Sequence, residues 1–391
     1  MRRRISSIIQ IAFKIVFLIF GYFPVRKKLI IFESFHGKQY SDSPRAIYEY
    51  LLENDNSFDM YWSVDRRYVD LFKDTDIPYI TRFSWKWFWL MPRAKYWVVN
   101  SRLPLWFKKS NDTVYVQTWH GTPLKRLGAD IEEVQMPGTD TEKYRENFTF
   151  EASKWDYLIS PNAYSTEIFK RAFDFRRKVV ESGYPRNDFL INSNEEMTIK
   201  KLKNKINIPL DKKVILYAPT WRDNQFYDKG KYKFDLQLDL EQLRSSLGEE
   251  YIIILRLHYL VAENLDLTGY ENFVWDLSRH EDIRELYLIA DMLITDYSSV
   301  FFDYANLKRP MLFFVYDIEE YRDHLRGFYF DFEQKAPGPL VRTTDELISE
   351  IKQIEDNGFQ LSENMDEFYR KFCYLEDGRA SERVVEEIFG R

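Results

Sequence analysis

The chain has 391 residues, 45% hydrophobic and 30% charged, a globular composition with ample core material and a length that suggests two domains. One cysteine, Cys373, excludes an intrachain disulfide and favours a reducing compartment. The net charge of −6 hides an asymmetry: residues 1–32 hold seven basic residues and no acid, which leaves −13 on residues 33–391. A basic N-terminus on an acidic body points to an anionic membrane surface and away from nucleic acid.

Residues 5–23 are strongly apolar, end at Pro24 and are flanked by basic residues. They run into bulky and basic residues, without the small-residue site of a cleaved signal peptide. A spanning helix needs about 20 apolar residues, and Lys14 sits mid-segment. Ser7, Gln10 and Lys14 recur at helical spacing, and with Ser6 they form one polar side. An amphipathic helix over residues 1–27, lying on the membrane with its remaining side toward lipid, is therefore expected; a buried or partner-binding helix is the alternative.

Leu29-Ile30-Ile31-Phe32-Glu33-Ser34 reads as a buried parallel strand. The loop Phe35-His36-Gly37-Lys38 follows, then a helix over 44–53 with Pro44 near its start. Residues 59–64, 78–81, 95–100, 113–117 and 156–160 read as further strands, with helical patterns at 69–73, 84–93 and 164–173. This alternation predicts a doubly wound sheet over 28–191. Residues 192–207 are polar and lysine-rich and read as a linker. A second alternation fills 208–391: strands at 214–218, 251–256, 292–295 and 310–315, helices at 239–247, 282–289, 300–307 and 344–354, and one or two helices over 364–389.

Chemistry-bearing residues collect at strand ends, where open α/β sheets bind ligands. Val116-Gln117-Thr118-Trp119-His120-Gly121-Thr122-Pro123-Leu124-Lys125 is a strand running into a loop shaped by Gly121 and Pro123. His120 there is suited to general-base work, since imidazole titrates near neutrality; a loop histidine bonded to a carbonyl is the alternative. Three further strand ends carry Pro219-Thr220-Trp221-Arg222-Asp223, Arg256-Leu257-His258 and Thr295-Asp296-Tyr297-Ser298-Ser299. Ser298 and Ser299 open a helix, whose N–H groups favour an anion, although either serine would also serve as a plain cap. Three such loops on one sheet edge point to a phosphate or nucleotide site. Arg326 suits a bidentate phosphate contact or an ion pair with Asp331 or Glu319. His280 and His324 read as exposed and structural. The chain has no CxxC, HExxH, GxGxxG, Walker-type loop or GxSxG, and no metal cluster is evident.

Taken in order, these segments resemble the CDP-glycerol:poly(glycerophosphate) glycerophosphotransferase family of wall teichoic acid synthesis. The resemblance rests on Gln117–Lys125, Tyr217–Asp223, Leu255–Tyr259, Ile294–Asp303, Arg326-Gly327-Phe328-Tyr329 with Pro337-Gly338-Pro339, and Phe32–Lys38. It covers nearly the whole chain after residue 28 and is greatest to the shorter members that add early glycerol phosphate units.

The resemblance implies an α/β, GT-B-like fold: two Rossmann-like domains facing across a cleft, an N-terminal acceptor domain and a C-terminal CDP-alditol-binding domain, with the last helices crossing back. It implies CDP-glycerol as donor, a lipid-linked glycerol phosphate acceptor, CMP as product, no firm cofactor and a peripheral place on the cytoplasmic face of the cell membrane. His120 would be the base and His258 would contact the donor pyrophosphate. Thr220, Trp221, Arg256, Ser298 and Ser299 match donor positions, joined by Arg186; Trp119, Gly121, Thr122, Pro123, Leu257, Asp296 and Arg326 are further substrate-binding candidates. A CDP-ribitol transferase of the same family and a nucleotide-sugar glycosyltransferase on the same scaffold are the alternatives.

Overall fold

The structure is a computed structural model that describes residues 2–390 except 135–138, 221, 223–225, 229–230, 233–235, 258–264 and 326. Side chains 2–8, 226–228, 231–232 and 324–325 are also outside the description. The chain forms two compact units. The first comprises residues 1–120, 145–188 and 375–391; the second comprises 121–144 and 189–374.

The first unit is built on a seven-stranded parallel sheet. Its strands are β1 (Arg26–Glu33), β2 (Asp59–Val64), β3 (Tyr79–Thr81), β4 (Ala94–Val99), β5 (Val114–Gln117), β6 (Tyr157–Ser160) and β7 (Lys178–Glu181). Their order is β3-β2-β1-β4-β5-β6-β7. Central strands are continuous apolar runs because both faces are covered: Leu29 to Phe32 are fully buried. The strand order reverses direction between β1 and β4, which is where doubly wound sheets open a crevice for ligands.

A 20-residue helix, α1 (Arg2–Gly21), precedes the sheet. The expectation that everything but its polar side faces lipid does not hold. Phe17 is 1% exposed and packs against Trp87, Trp97, Trp106 and Phe107, because these rings offer it an aromatic socket. Ile11, Ile15 and Ile19, four residues apart, remain exposed on another side. No helix among the described residues is long and apolar enough to cross a membrane.

Helix α2 (Asp42–Asn54) follows β1 and begins two residues before Pro44. Ile47, Tyr48 and Leu51 meet Val384, Val385, Ile388 and Phe389 of the helix Ala380–Phe389 in one apolar cluster. Glu376 accepts from Tyr184 N at 3.0 Å, and Asp188 accepts from the N–H groups of Ala380 and Ser381 at 2.8 and 2.7 Å. Residues 375–391 are thereby part of the first unit.

The second unit has a six-stranded parallel sheet of β8 (Lys213–Tyr217), β11 (Tyr251–Leu255), β12 (Val274–Asp276), β13 (Met292–Thr295), β14 (Met311–Phe314) and β15 (Leu340–Val341), in the order β12-β11-β8-β13-β14-β15. A separate two-stranded ribbon joins β9 (Phe226–Asp228) to β10 (Lys231–Tyr232). Asp239, Asp282 and Thr343 cap the helices that follow them through side-chain oxygens. Within 192–207 the chain forms the helix Glu196–Lys205. Gly338 lies so close to β14 that a Cβ there would sit 1.9 Å from the Met311 carbonyl.

Candidate active site

In the first unit, the loops after β1, β4 and β5 emerge side by side because these strands are neighbours in the sheet. His120 stands after β5. Its Nδ1 lies 2.7 Å from the carbonyl oxygen of Asn100, which follows β4. A carbonyl only accepts, so Nδ1 carries the proton and Nε2 keeps its lone pair. This is the carbonyl bond of the alternative reading, a loop histidine, and it leaves the Nε2 lone pair free.

The imidazole stacks on Trp119 at 4.6 Å, and Trp119 rests on Phe173 at 4.7 Å within a buried aromatic group. Trp119 takes a left-handed backbone, φ 55°, to turn the chain here, a conformation that bulky residues rarely adopt. Burial pushes the His120 pKa down, opposed by the Asn100 carbonyl and the Asp42 carboxylate and assisted by Arg186 and Arg102; the result lies below the ordinary 6.5. The residue retains an exposed surface. Its imidazole is therefore neutral at physiological pH.

Asn100 is fully buried and central to the support. Its Oδ1 accepts from Phe35 N at 2.8 Å, and its Nδ2 donates to Asp42 at 3.1 Å. Asp42, itself at φ 65°, also pairs with Arg186 at 3.2 Å. Arg186 is 5% exposed and lies 4.0 Å over the Tyr184 ring. In this structure Arg186, expected near the donor, neutralises a buried carboxylate beside His120. Asp42 and Asn100 were not singled out from sequence; the signal available was a polar residue at the end of a neighbouring strand.

In the second unit, the strand order reverses between β8 and β13, and the loops after these two strands converge. Asp296 Oδ1 accepts from Thr220 N at 2.8 Å, and Oδ2 pairs with Arg222 at 2.8 Å. Arg222 also pairs with Asp317, after β14, at 2.7 Å. Burial would lower the Arg222 pKa, but Asp296 and Asp317 outweigh it and hold the group well above its ordinary value. The Asp296 carboxylate, expected to meet substrate, also clamps two strand ends together. Arg222 and Asp317 are the clamp's other members; opposite charges in adjacent strand-end loops were the clue to them.

Thr220 is 8% exposed, and its hydroxyl has no partner among the described residues. Ser298 and Ser299 are half-buried, and Ser299 stands at the start of the short helix Val300–Tyr304 without making a side-chain cap. A Cβ on Gly121 would lie 2.8 Å from Ser299 Oγ and 3.2 Å from its Cβ, so a larger residue here would make Ser299 shift. Gly121, Thr122, Pro123 and Leu124 are all buried. Their segment is tied to Gly327-Phe328-Tyr329 by Arg126 N to Gly327 O at 3.2 Å and Tyr329 N to Leu124 O at 2.8 Å.

Arg256 donates to the carbonyls of Leu277 and Ser278 at 3.0 and 2.5 Å, so part of its guanidinium braces the end of β12. Leu257 is a core residue whose N–H donates to Ser278 Oγ at 3.0 Å. Trp221, His258 and Arg326 lie outside the described residues. His280 is not exposed as expected: its Nε2 sits 2.9 Å from Glu285 in a half-buried pair.

A sequence profile described as CDP-Glycerol:Poly(glycerophosphate) glycerophosphotransferase matches residues 15–390. The chain belongs to this family. It is 64% identical over 384 residues to the teichoic acid poly(glycerol phosphate) polymerase of Bacillus subtilis strain 168, covering 98% of this chain but 52% of that one. It thus spans about half the length of that relative. It is 60% identical over 386 residues to the protein of the same description from Bacillus spizizenii strain W23, covering 98% of both. The structure of the wall teichoic acid polymerase TagF, as a histidine-to-asparagine variant soaked with CDPG, superposes with a TM-score of 0.89 at 43% identity, covering 99% of this chain and 96% of that one. The expected α/β fold with two parallel sheets agrees with this likeness.

Proposed function

We propose that the chain is a glycerophosphotransferase that moves glycerol phosphate from CDP-glycerol to a lipid-linked glycerol phosphate acceptor, releasing CMP, in wall teichoic acid synthesis. The observation that carries the mechanism is the 2.7 Å bond between His120 Nδ1 and the Asn100 carbonyl. It leaves Nε2 as the free base, on a residue with exposed surface.

The acceptor hydroxyl gives its proton to Nε2 as its oxygen attacks the β-phosphorus of CDP-glycerol. The bond from that phosphorus to the bridging oxygen breaks, and CMP leaves with the electron pair. A positioned base contributes about 10²–10⁴-fold. Stabilising the charge on the phosphoryl oxygens is commonly the larger effect. Candidates for that role in the second unit are the Thr220 hydroxyl, Ser298, Ser299 and Arg256, with His258 and Trp221 named by family resemblance. The Arg222–Asp296 clamp holds Thr220 in place through its backbone N–H.

Membrane attachment belongs to the same reading. Ile11, Ile15 and Ile19 of α1 form an exposed apolar ridge, with exposed Tyr22, Phe23 and Trp85 also in the first unit. Basic residues open the helix at 2–4 and follow it at 26–28. Apolar insertion and attraction to anionic headgroups together hold such a helix at the cytoplasmic face of the bilayer.

The test is CMP release from CDP-glycerol and from CDP-ribitol, with a lipid-linked glycerol phosphate acceptor, for the wild type and His120→Ala. Acceptor-dependent CMP from CDP-glycerol, lost in the variant, is the expected result. Release from CDP-ribitol alone would change the donor, and release from neither would refute the transferase reading.

A further inference from the structure

Helix α1 runs on into a turn in which Phe23 N donates to Phe20 O at 3.2 Å. The exposed ridge of Ile11, Ile15 and Ile19 therefore extends, at the same four-residue spacing, to exposed Phe23. The short helix Trp85–Leu90 packs beside this end: Trp89, 38% exposed, meets the Phe20 and Phe23 rings edge-on at 5.4 and 5.2 Å. Arg93 follows that helix. Its guanidinium lies 4.1 Å over the Trp89 ring and 5.8 Å from the Phe23 ring, and its Nε donates to the Pro24 carbonyl at 3.2 Å.

What this arginine lacks is an acid. Among the described residues no carboxylate pairs with Arg93, and neither Nη atom has a hydrogen-bond acceptor. Its charged neighbour is another cation, Arg26, which stands opposite Ala94 in the sheet and is paired with Asp59 at 2.9 Å. Burial and the Arg26 charge act in one direction and hold the Arg93 pKa below its ordinary value. The rings and the Pro24 carbonyl fix the guanidinium plane, and the residue keeps exposed surface. Bracing the turn at Pro24 uses Nε alone and leaves the forked end without a purpose.

We propose that Arg93 is a binding site for the headgroup phosphate of an anionic phospholipid, seated at the end of the apolar ridge of α1. This rests on the membrane attachment proposed above. The ridge enters the acyl region, and the Phe23 and Trp89 rings lie at its boundary, a depth that tryptophan favours. An arginine over those rings reaches the headgroup layer. There its two Nη atoms donate to two oxygens of one phosphodiester, a planar fork that lysine does not reproduce. Exposed Lys27 and Lys28 add attraction of no fixed geometry.

The experiment measures partitioning of the full chain onto mixed phosphatidylcholine and phosphatidylglycerol vesicles, with and without lipid-linked glycerol phosphate. The proteins are the wild type, Arg93→Lys, Arg93→Gln and Lys27→Gln. Arg93→Lys keeps the net charge and should weaken partitioning about tenfold, as loss of a charge-assisted contact implies. Lys27→Gln removes one diffuse charge and should weaken it about fivefold. Arg93→Gln loses both and should be weaker than Lys27→Gln by about tenfold. Thermal unfolding checks that each variant folds, and Arg93→Gln set against Lys27→Gln decides if Arg93→Lys does not. Arg93→Lys within about twofold of the wild type, or Arg93→Gln no weaker than Lys27→Gln, would overturn the site and leave membrane attachment intact. An Arg93→Lys defect seen only with the lipid-linked acceptor present would also overturn it, assigning the arginine to the acceptor's phosphate instead. A wild type that does not partition onto these vesicles refutes membrane attachment, and the site falls with it.

Discussion

The backbone carbonyl of Asn100 receives the Nδ1 proton of His120 at 2.7 Å, while the Asn100 side chain joins Phe35 and Asp42. One residue thus sets the tautomer of His120 and ties it to the loop after β1.

A pH profile follows from this pairing. Burial and the two nearby arginines lower the His120 pKa below 6.5. The base form is therefore present at neutrality, and kcat/KM should fall toward tenfold per pH unit only below that pKa, with a plateau above about pH 7. Stability moves in the same sense. The unfolded histidine takes its proton first, so His120's contribution is lost as pH falls below about 6.5. An acidic limb centred above 6.5 would contradict the assignment. His120→Ala should lower the rate about 10²–10⁴-fold with folding retained, as checked by CMP release and circular dichroism.

Arg222 balances two carboxylates at the strand ends of the second unit. Arg222→Met leaves Asp296 buried and without its cation. A loss of about 3–5 kcal/mol in urea unfolding is expected, as for other broken buried pairs. A loss under about 1 kcal/mol would mean that the clamp does not hold the two loops.

Gly121→Ala places a methyl group 2.8 Å from Ser299 Oγ and 3.2 Å from its Cβ. Overpacking of this kind costs about 1–3 kcal/mol. Ser299→Gly in the same chain removes both clashing atoms, so the double variant should be more stable than the sum of the single effects. Strict additivity in unfolding measurements would show that the contact is not tight.

The two sides of α1 should respond differently. Phe17→Ala empties an aromatic socket and should cost about 3–5 kcal/mol of stability. Ile15→Ser, on the exposed ridge, should change stability by less than about 0.5 kcal/mol yet reduce co-sedimentation with anionic vesicles. Vesicle binding that survives Ile11→Ser, Ile15→Ser and Ile19→Ser together would remove α1 from membrane attachment.

The alternation of strands and helices was legible because central parallel strands are unbroken apolar runs. Leu29 to Phe32 and Tyr251 to Leu255 announce themselves in this way. The sheet edges did not. Lys178–Glu181 has one buried residue, and Val274–Asp276 is short and ends on an exposed acid. Neither has a pattern distinct from a loop. The helix Thr141–Ala152 escaped for a similar reason, with few buried side chains along it. His120 was visible as a histidine at a strand end, but Asp42, Asn100 and Asp317 were not. Their importance depends on which strands become neighbours, and linear sequence does not display that order. The socket around Phe17 was hidden likewise, since its walls come from residues 87–107.

Because residues 375–391 complete the first unit, that unit cannot close in the order in which it is synthesised. At about 5–20 residues per second, residues 189–374 occupy the ribosome for roughly ten to forty seconds after Asp188 has been added. Throughout that interval Ile47, Tyr48 and Leu51 of α2 lack the helix that covers them. The nascent chain therefore presents an oily stripe, open to chaperones and to neighbouring chains on the same messenger, until the helix Ala380–Phe389 emerges.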